Sequence, residues 1–285
     1  MMKNTIKLIS VFLLSGLLFN GCSKGNKGNN YITIKGSDTM VHLASNWAEA
    51  YMKTHPAVNI SVTGGGSGTG IAALLNGTTD ICIASRKIKS KELELAKEKG
   101  LQPDEIITAR DGIAVVVNPG NPITSLTIEQ IGKIYTGAYT NWTQVSGPDK
   151  PIIVLSRESS SGTYVFFQKR VMNKKDYTRN AMLMPSTSAI VQSVAQDEWA
   201  IGYVGLGYAL GAGAIVKMLA VKEAIDSQAI IPAVETVQSG AYAIARPLHF
   251  YTDGVATGTA KNFVDFVLSG EGQKIVLETG YVPVN

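Results

Sequence analysis

Two cysteines in 285 residues, Cys22 and Cys82, are too few for a disulfide or zinc framework. Three histidines, His42, His55 and His249, fall at no metal-ligand spacing and read as structural or solvated side chains. No lysine follows the glycine-rich stretch 64–70 as a P-loop requires, and neither Ser67 nor Ser161 sits in a G-x-S-x-G elbow. Gly68-Thr69-Gly70-Ile71-Ala72-Ala73 fits G-x-G-x-x-A, but the next strand ends in Ser85-Arg86 where a dinucleotide fold needs a ribose-binding acid. Charged residues are only 17% of the chain and form no basic, aromatic stripe, so no nucleic-acid partner is expected. Neither a catalytic group nor a cofactor is expected from what remains. A phosphate-ester hydrolase is the enzymatic alternative, and it needs a nucleophile or metal that the sequence does not offer.

Long apolar runs are also absent, with one exception. Residues 8–19 are almost wholly apolar, follow Lys3 and Lys7, and lead into Asn20-Gly21-Cys22. A short positive region, an apolar core and small residues read as an export signal, too short to be kept as a membrane span. Its removal takes the formal charge from +4 to +2, the difference being Lys3 and Lys7. The junction at Cys22 resembles the lipobox of bacterial lipoproteins, with Phe19 where Leu is usual. That likeness implies a signal at 1–21, a palmitate-bearing lipid anchor on Cys22, and a hydrophilic tether over 22–30. The expected location is the outer face of the cell membrane, or the periplasmic side where there are two membranes. Cys82, inside Asp80-Ile81-Cys82-Ile83-Ala84, reads as a small core hydrophobe.

The remaining chain is 45% hydrophobic by overall composition and long enough for two domains. Strand-like runs at 31–35, 58–62, 81–84, 113–117, 152–155 and 201–205 alternate with helical spacing at 40–51, from 71, 90–100, 127–135, 164–170, 188–196, 262–268 and 271–277. This alternation predicts an α/β fold with mainly parallel sheets. The turn cluster Asn118-Pro119-Gly120-Asn121-Pro122 reads as a passage between domains, and 241–247 as a second crossing.

Ligands in such folds sit beyond the carboxyl ends of strands, and three Gly/Ser/Thr loops fall there. They are Gly36-Ser37-Asp38-Thr39, the stretch 64–70, and Arg157-Glu158-Ser159-Ser160-Ser161-Gly162-Thr163; Ser85-Arg86 ends a fourth strand. Each loop opens a helix, where unpaired N–H groups and the positive end of the dipole favour an anion. Arg157 adds a planar fork suited to a tetrahedral oxyanion, and Arg86 a second guanidinium. Each feature has a plainer reading: Ser161 and Thr163 as caps, 64–70 as a flexible turn, Arg86 as a solvated charge. Their agreement at several strand ends favours one anion site. A proton-bearing anion such as phosphate also needs an acceptor, for which Asp38 is the nearest carboxylate; its plainer role is to cap its own helix.

These motifs, with Thr140-Asn141-Trp142, Gly202-Tyr203-Val204-Gly205, Arg246-Pro247-Leu248 and the stretch 270–283, resemble the PstS-type phosphate-binding proteins over nearly all of 31–284. The resemblance implies a two-lobed type II periplasmic-binding-protein fold joined by a hinge. It implies a monomeric, non-enzymatic receptor that takes inorganic phosphate and passes it to ABC-transporter permease subunits. The lobes are expected at 31–112 with 245–285, and at 113–244. Phosphate-binding positions map onto Ser37, Asp38, Thr39, Ser67, Arg157, Ser161, Gly162 and Thr163; Gly68, Ser85 and Arg86 join them by position in the loops. The best-known members carry an acid where this chain has Arg86, and another where it has Ser159, which leaves the selectivity mechanism open. Another tetrahedral oxyanion such as sulfate is the alternative ligand.

Overall fold

The computed structural model describes residues 30–284; the expected signal, Cys22 and the tether up to residue 29 lie outside them. β1 (Tyr31–Gly36) sends Ile32 and Ile34 into the core. A 3-10 turn at Asp38–Met40 leads into α1 (Val41–Thr54), which buries Leu43, Ala44, Trp47, Ala48 and Tyr51 along one face. β2 (Asn59–Thr63), α2 (Ser67–Leu75), β3 (Ile81–Ala84) and α3 (Ser90–Glu98) continue the alternation into β4 (Pro103–Val117). Then come β5 (Ser125–Thr127), α4 (Ile128–Tyr135), β6 (Ile153–Arg157), α5 (Gly162–Arg170), β7 (Met182–Met184), α6 (Thr187–Gln196), β8 (Ala200–Gly205) and α7 (Leu206–Ala212). β9 (Lys217–Met218), β10 (Ala220–Lys222), α8 (Val234–Gln238), β11 (Ala245–Asp253), α9 (Gly258–Leu268) and α10 (Gly270–Glu278) complete the chain. The capping box expected at α4 is present: Gln130 N–H donates to Thr127 Oγ1 at 3.0 Å and Thr127 N–H to Gln130 Oε1 at 2.8 Å.

The main sheet runs β2-β1-β3-β11-β4-β8-β6-β7, with β9 also on β4. Both wings are parallel, as the βα alternation requires. The centre is antiparallel, because β4 and β11 carry the chain between the wings in opposite directions. Up to Gly112, β4 pairs with β11; from Ile113 it pairs with β8. The crossing therefore lies inside β4, not at 118–122. Asn118 Nδ2 donates to the Val194 and Ala195 carbonyls and Asn121 Nδ2 to that of Glu198, which ties the turn cluster within the second wing. At the return crossing, strand begins only at Ala245 and runs on through Pro247.

Each wing has its own core, which gives the fold two lobes. Ile32, Ile34, Leu43, Trp47, Phe250 and Phe263 form one cluster, and Trp47 anchors it by donating Nε1–H to the Gly272 carbonyl at 2.8 Å. Val115, Ile134, Tyr135, Trp142, Phe167 and Tyr203 belong to the other. Cys82 is fully buried, and burial raises its thiol pKa to about 12, as befits a core hydrophobe. Among the described residues no helix is long and apolar enough to cross a membrane.

Candidate anion site between the lobes

All four strand ends singled out in the sequence meet where the lobes face each other. From the first lobe, Ser37 Oγ donates to Ser85 Oγ at 2.8 Å, and Ser85 N–H donates to Ser67 Oγ at 3.0 Å. Thr39 Oγ1 crosses to Thr163 Oγ1, 2.7 Å away at the start of α5. Ser37, Thr39, Ser67, Ser85, Arg157, Ser161 and Thr163 are each no more than 2% exposed. Buried hydroxyls in such density are costly unless each has a partner.

Ser161 does cap α5, since its Oγ accepts N–H from Thr163 at 3.2 Å and Tyr164 at 3.4 Å. Capping uses only its lone pairs, and the hydroxyl proton is left as a donor. Gly162 packs directly against the opposite lobe: a Cβ there would overlap Ser67 Oγ and stand 2.6 Å from Ser85 Oγ. Only a glycine at that position lets the two lobes approach this closely.

Arg157 ends β6 with its guanidinium buried. Nη1 donates to Thr187 Oγ1 at 2.7 Å, Nη2 to the Pro185 carbonyl at 3.0 Å and Nε to the Met184 carbonyl at 3.3 Å. Burial lowers its pKa, and the nearby Asp38 carboxylate pulls it back up. Asp38 Oδ2 lies 3.3 Å from Arg157 Nη1 and accepts Thr187 N–H at 2.7 Å. So Asp38 takes up the first N–H of α6 in the other lobe, rather than capping its own helix.

Two expected ligand groups are engaged elsewhere. Arg86 forms a two-pronged pair with Glu92, at 2.8 and 2.7 Å, so its fork faces a carboxylate of its own lobe. Burial alone would raise the Glu92 pKa, but the Arg86 fork and the Lys89 N–H outweigh it and hold the carboxylate below its usual range. Gly68 N–H donates to the Ser160 carbonyl at 2.9 Å, a backbone bond between the lobes.

Sequence reasoning missed four residues that the fold brings here. Thr187 serves both Arg157 and Asp38, and Tyr208 Oη donates to the Asp38 carbonyl at 3.1 Å. Arg246 Nη2 lies 2.9 Å from Asp111 Oδ2 and donates to Thr163 Oγ1 at 3.0 Å. Arg157, Arg86 and Arg246 each face one carboxylate, Asp38, Glu92 and Asp111. An anion here would be held by oriented hydroxyl, N–H and guanidinium donors rather than by unopposed charge.

A family model described as a PBP superfamily domain matches residues 23–271. Protein SphX of Synechococcus elongatus is 34% identical over 262 residues, covering 89% of this chain and 77% of its own. The phosphate-binding protein PstS of Pseudomonas aeruginosa is 31% identical over 284 residues, covering 92% and 85%. A putative phosphate ABC transporter substrate-binding protein from Clostridium perfringens, solved with bound phosphate, superposes with a TM-score of 0.81 at 34% identity. That match covers 90% of this chain and all of the solved one. The chain belongs to the PBP superfamily, among the PstS-type phosphate-binding proteins.

Proposed function

We propose that this chain is a receptor that captures inorganic phosphate between its two lobes and delivers it to the permease of an ABC transporter. The observation that carries this reading is the cluster of Ser37, Thr39, Ser67, Ser85 and Thr163 hydroxyls buried between the lobes beside Ser161 and Gly162 at the start of α5, with Arg157 paired to Asp38, the residue between Ser37 and Thr39. Hydroxyls and helix-start N–H groups replace the water shell of a tetrahedral anion at little reorganisation cost. Gly162 presents its backbone to the same point, while Ser85 holds Ser37 and Ser67 in place. Arg86 and Gly68, engaged with Glu92 and Ser160, stand behind this first ring of contacts.

The lobes are taken as 31–112 with 245–285, and 113–244, in keeping with the change of partner along β4 after Gly112. Capture is then a hinge closure, with phosphate favouring the closed state by the contacts it makes to both lobes. Calorimetric titration tests the reading. Tight one-to-one phosphate binding with no turnover of an aryl phosphate is expected; turnover without tight binding would replace the receptor by a hydrolase.

Asp38 is assigned the proton-bearing oxygen of phosphate, which sulfate lacks. Asn at this position keeps an oxygen to accept Thr187 N–H, so Asp38→Asn isolates the charge. The phosphate-to-sulfate affinity ratio is expected to fall by about tenfold. An unchanged ratio removes Asp38 from selectivity.

Export and lipid attachment at Cys22 complete the proposal. Labelled palmitate should enter the wild-type protein and not Cys22→Ala. Equal labelling of both would place the lipid elsewhere.

A further inference from the structure

Arg246 and Asp111 form a buried pair in register across the two strands that join the lobes. Nη2 and Nε of the arginine lie 2.9 and 3.3 Å from Asp111 Oδ2, while the Asp111 Oδ1 accepts Leu206 N–H at 3.0 Å. The Arg246 guanidinium stands 5.3 Å from the centre of the Phe166 ring, which limits its tilt. Two further bonds reach into the cleft: Nη1 donates to the Ser85 carbonyl at 2.9 Å in the first lobe, and Nη2 to Thr163 Oγ1 at 3.0 Å in the second.

We propose that Arg246 is a positioning residue for phosphate capture, fixing the Thr163 hydroxyl and the Ser85 backbone relative to one another across the closing lobes. Resting on the phosphate reading above, this assigns a role to a side chain outside the first ring of contacts. An arginine only donates, so Thr163 Oγ1 must spend a lone pair on it. The Thr163 proton is thereby directed away from Arg246, toward Thr39 or an anion oxygen, and the charge on Arg246 strengthens it as a donor. A buried ion pair with a purely architectural purpose needs no bond to either Ser85 or Thr163. A lysine cannot reproduce the arrangement, since one ammonium replaces the planar fork that spans Ser85, Asp111 and Thr163.

The test is a double-mutant cycle on the full-length protein, read as the dissociation constant for inorganic phosphate. Arg246→Lys and Thr163→Val are each expected to weaken binding by about tenfold or more, and the double variant to bind no more than about twofold worse than Thr163→Val alone. Losses that multiply would mean that Arg246 acts independently of Thr163, and the inference would fall. If Arg246→Lys does not fold, Asp111→Asn with Arg246→Gln removes both buried charges together and enters the same cycle under the same criterion. Wild-type protein that does not bind phosphate would sink the receptor reading itself. Wild-type binding with independent losses sinks only the role of Arg246.

Discussion

Arg157→Ala is expected to weaken phosphate binding by two to three orders of magnitude, about 3–4 kcal/mol. The loss is this large because the substitution does more than remove a cation. Arg157 gathers Met184, Pro185 and Thr187 from the second lobe around the end of β6, and it neutralises Asp38 from the first. Without it, the Asp38 carboxylate faces an incoming anion with no compensating charge, and like charges at close range repel. Adding Asp38→Asn to Arg157→Ala should therefore restore part of the affinity, and Arg157→Lys should restore less than full binding because it lacks the fork. Isothermal titration of the three variants measures this. Wild-type affinity in Arg157→Ala would remove the arginine from the site.

Gly162→Ala is expected to cost about tenfold to a hundredfold in phosphate affinity while leaving the protein folded. Alanine suits the first turn of a helix better than glycine, so α5 should be at least as stable. The added methyl meets Ser67 and Ser85, which lie in the other lobe. Ser67 has little freedom to retreat because it holds the Ser85 N–H. The cost thus falls on closure alone. Small-angle scattering should show phosphate contracting the wild-type protein and failing to contract Gly162→Ala at concentrations that saturate the wild type. Equal contraction with unchanged affinity would mean that the lobes do not meet at Gly162 during capture. The same geometry explains the nearby Gly66, where a Cβ would stand 2.7 Å from the Ser160 carbonyl across the cleft.

These two residues were legible in the sequence because their signal is local. A strand, a Gly/Ser/Thr loop and a helix start lie within a dozen residues, and the loop chemistry that favours an anion is the chemistry that starts a helix. The same holds for the α4 capping box and for the core faces of α1 and α6, whose spacing states which side is buried. What the sequence hid depends on pairing between distant segments. The first part of β4 carries Asp104, Glu105, Arg110 and Asp111, so it lacks the apolar pattern that marked its last five residues as strand. β11 contains Pro247, which argues against strand when the neighbouring chain is unknown.

Arg246 and Asp111 reach the cleft only through that pairing, which sets them opposite each other. A signal was present nonetheless: opposite charges directly beside the apolar runs at the two chain crossings, Asp111-Gly112-Ile113 and Ile244-Ala245-Arg246. Charges carried into the interior with such runs are buried only as pairs. Asp38 shows a different limit. Its position just before a helix fits a cap, and it does receive a helix N–H, but from α6, almost 150 residues along the chain by the separation of 149. Arg86 likewise sits at a strand end as expected, yet Glu92 in the first turn of α3 claims its fork. Local chemistry identifies a charged group; only the fold determines which partner it meets.

Phosphate capture at the meeting point of the two lobes can be observed directly. A crystal structure of the protein grown with phosphate and without other tetrahedral anions tests it most directly. The expected result is one tetrahedral ion enclosed by Ser37, Thr39, Ser67, Ser161, Gly162 and Thr163, with Arg157 and Asp38 on its flank and Arg246 bonded to Thr163 as described. Phosphate bound away from these loops, or a saturated protein whose hydroxyl cluster holds no ion, would contradict it.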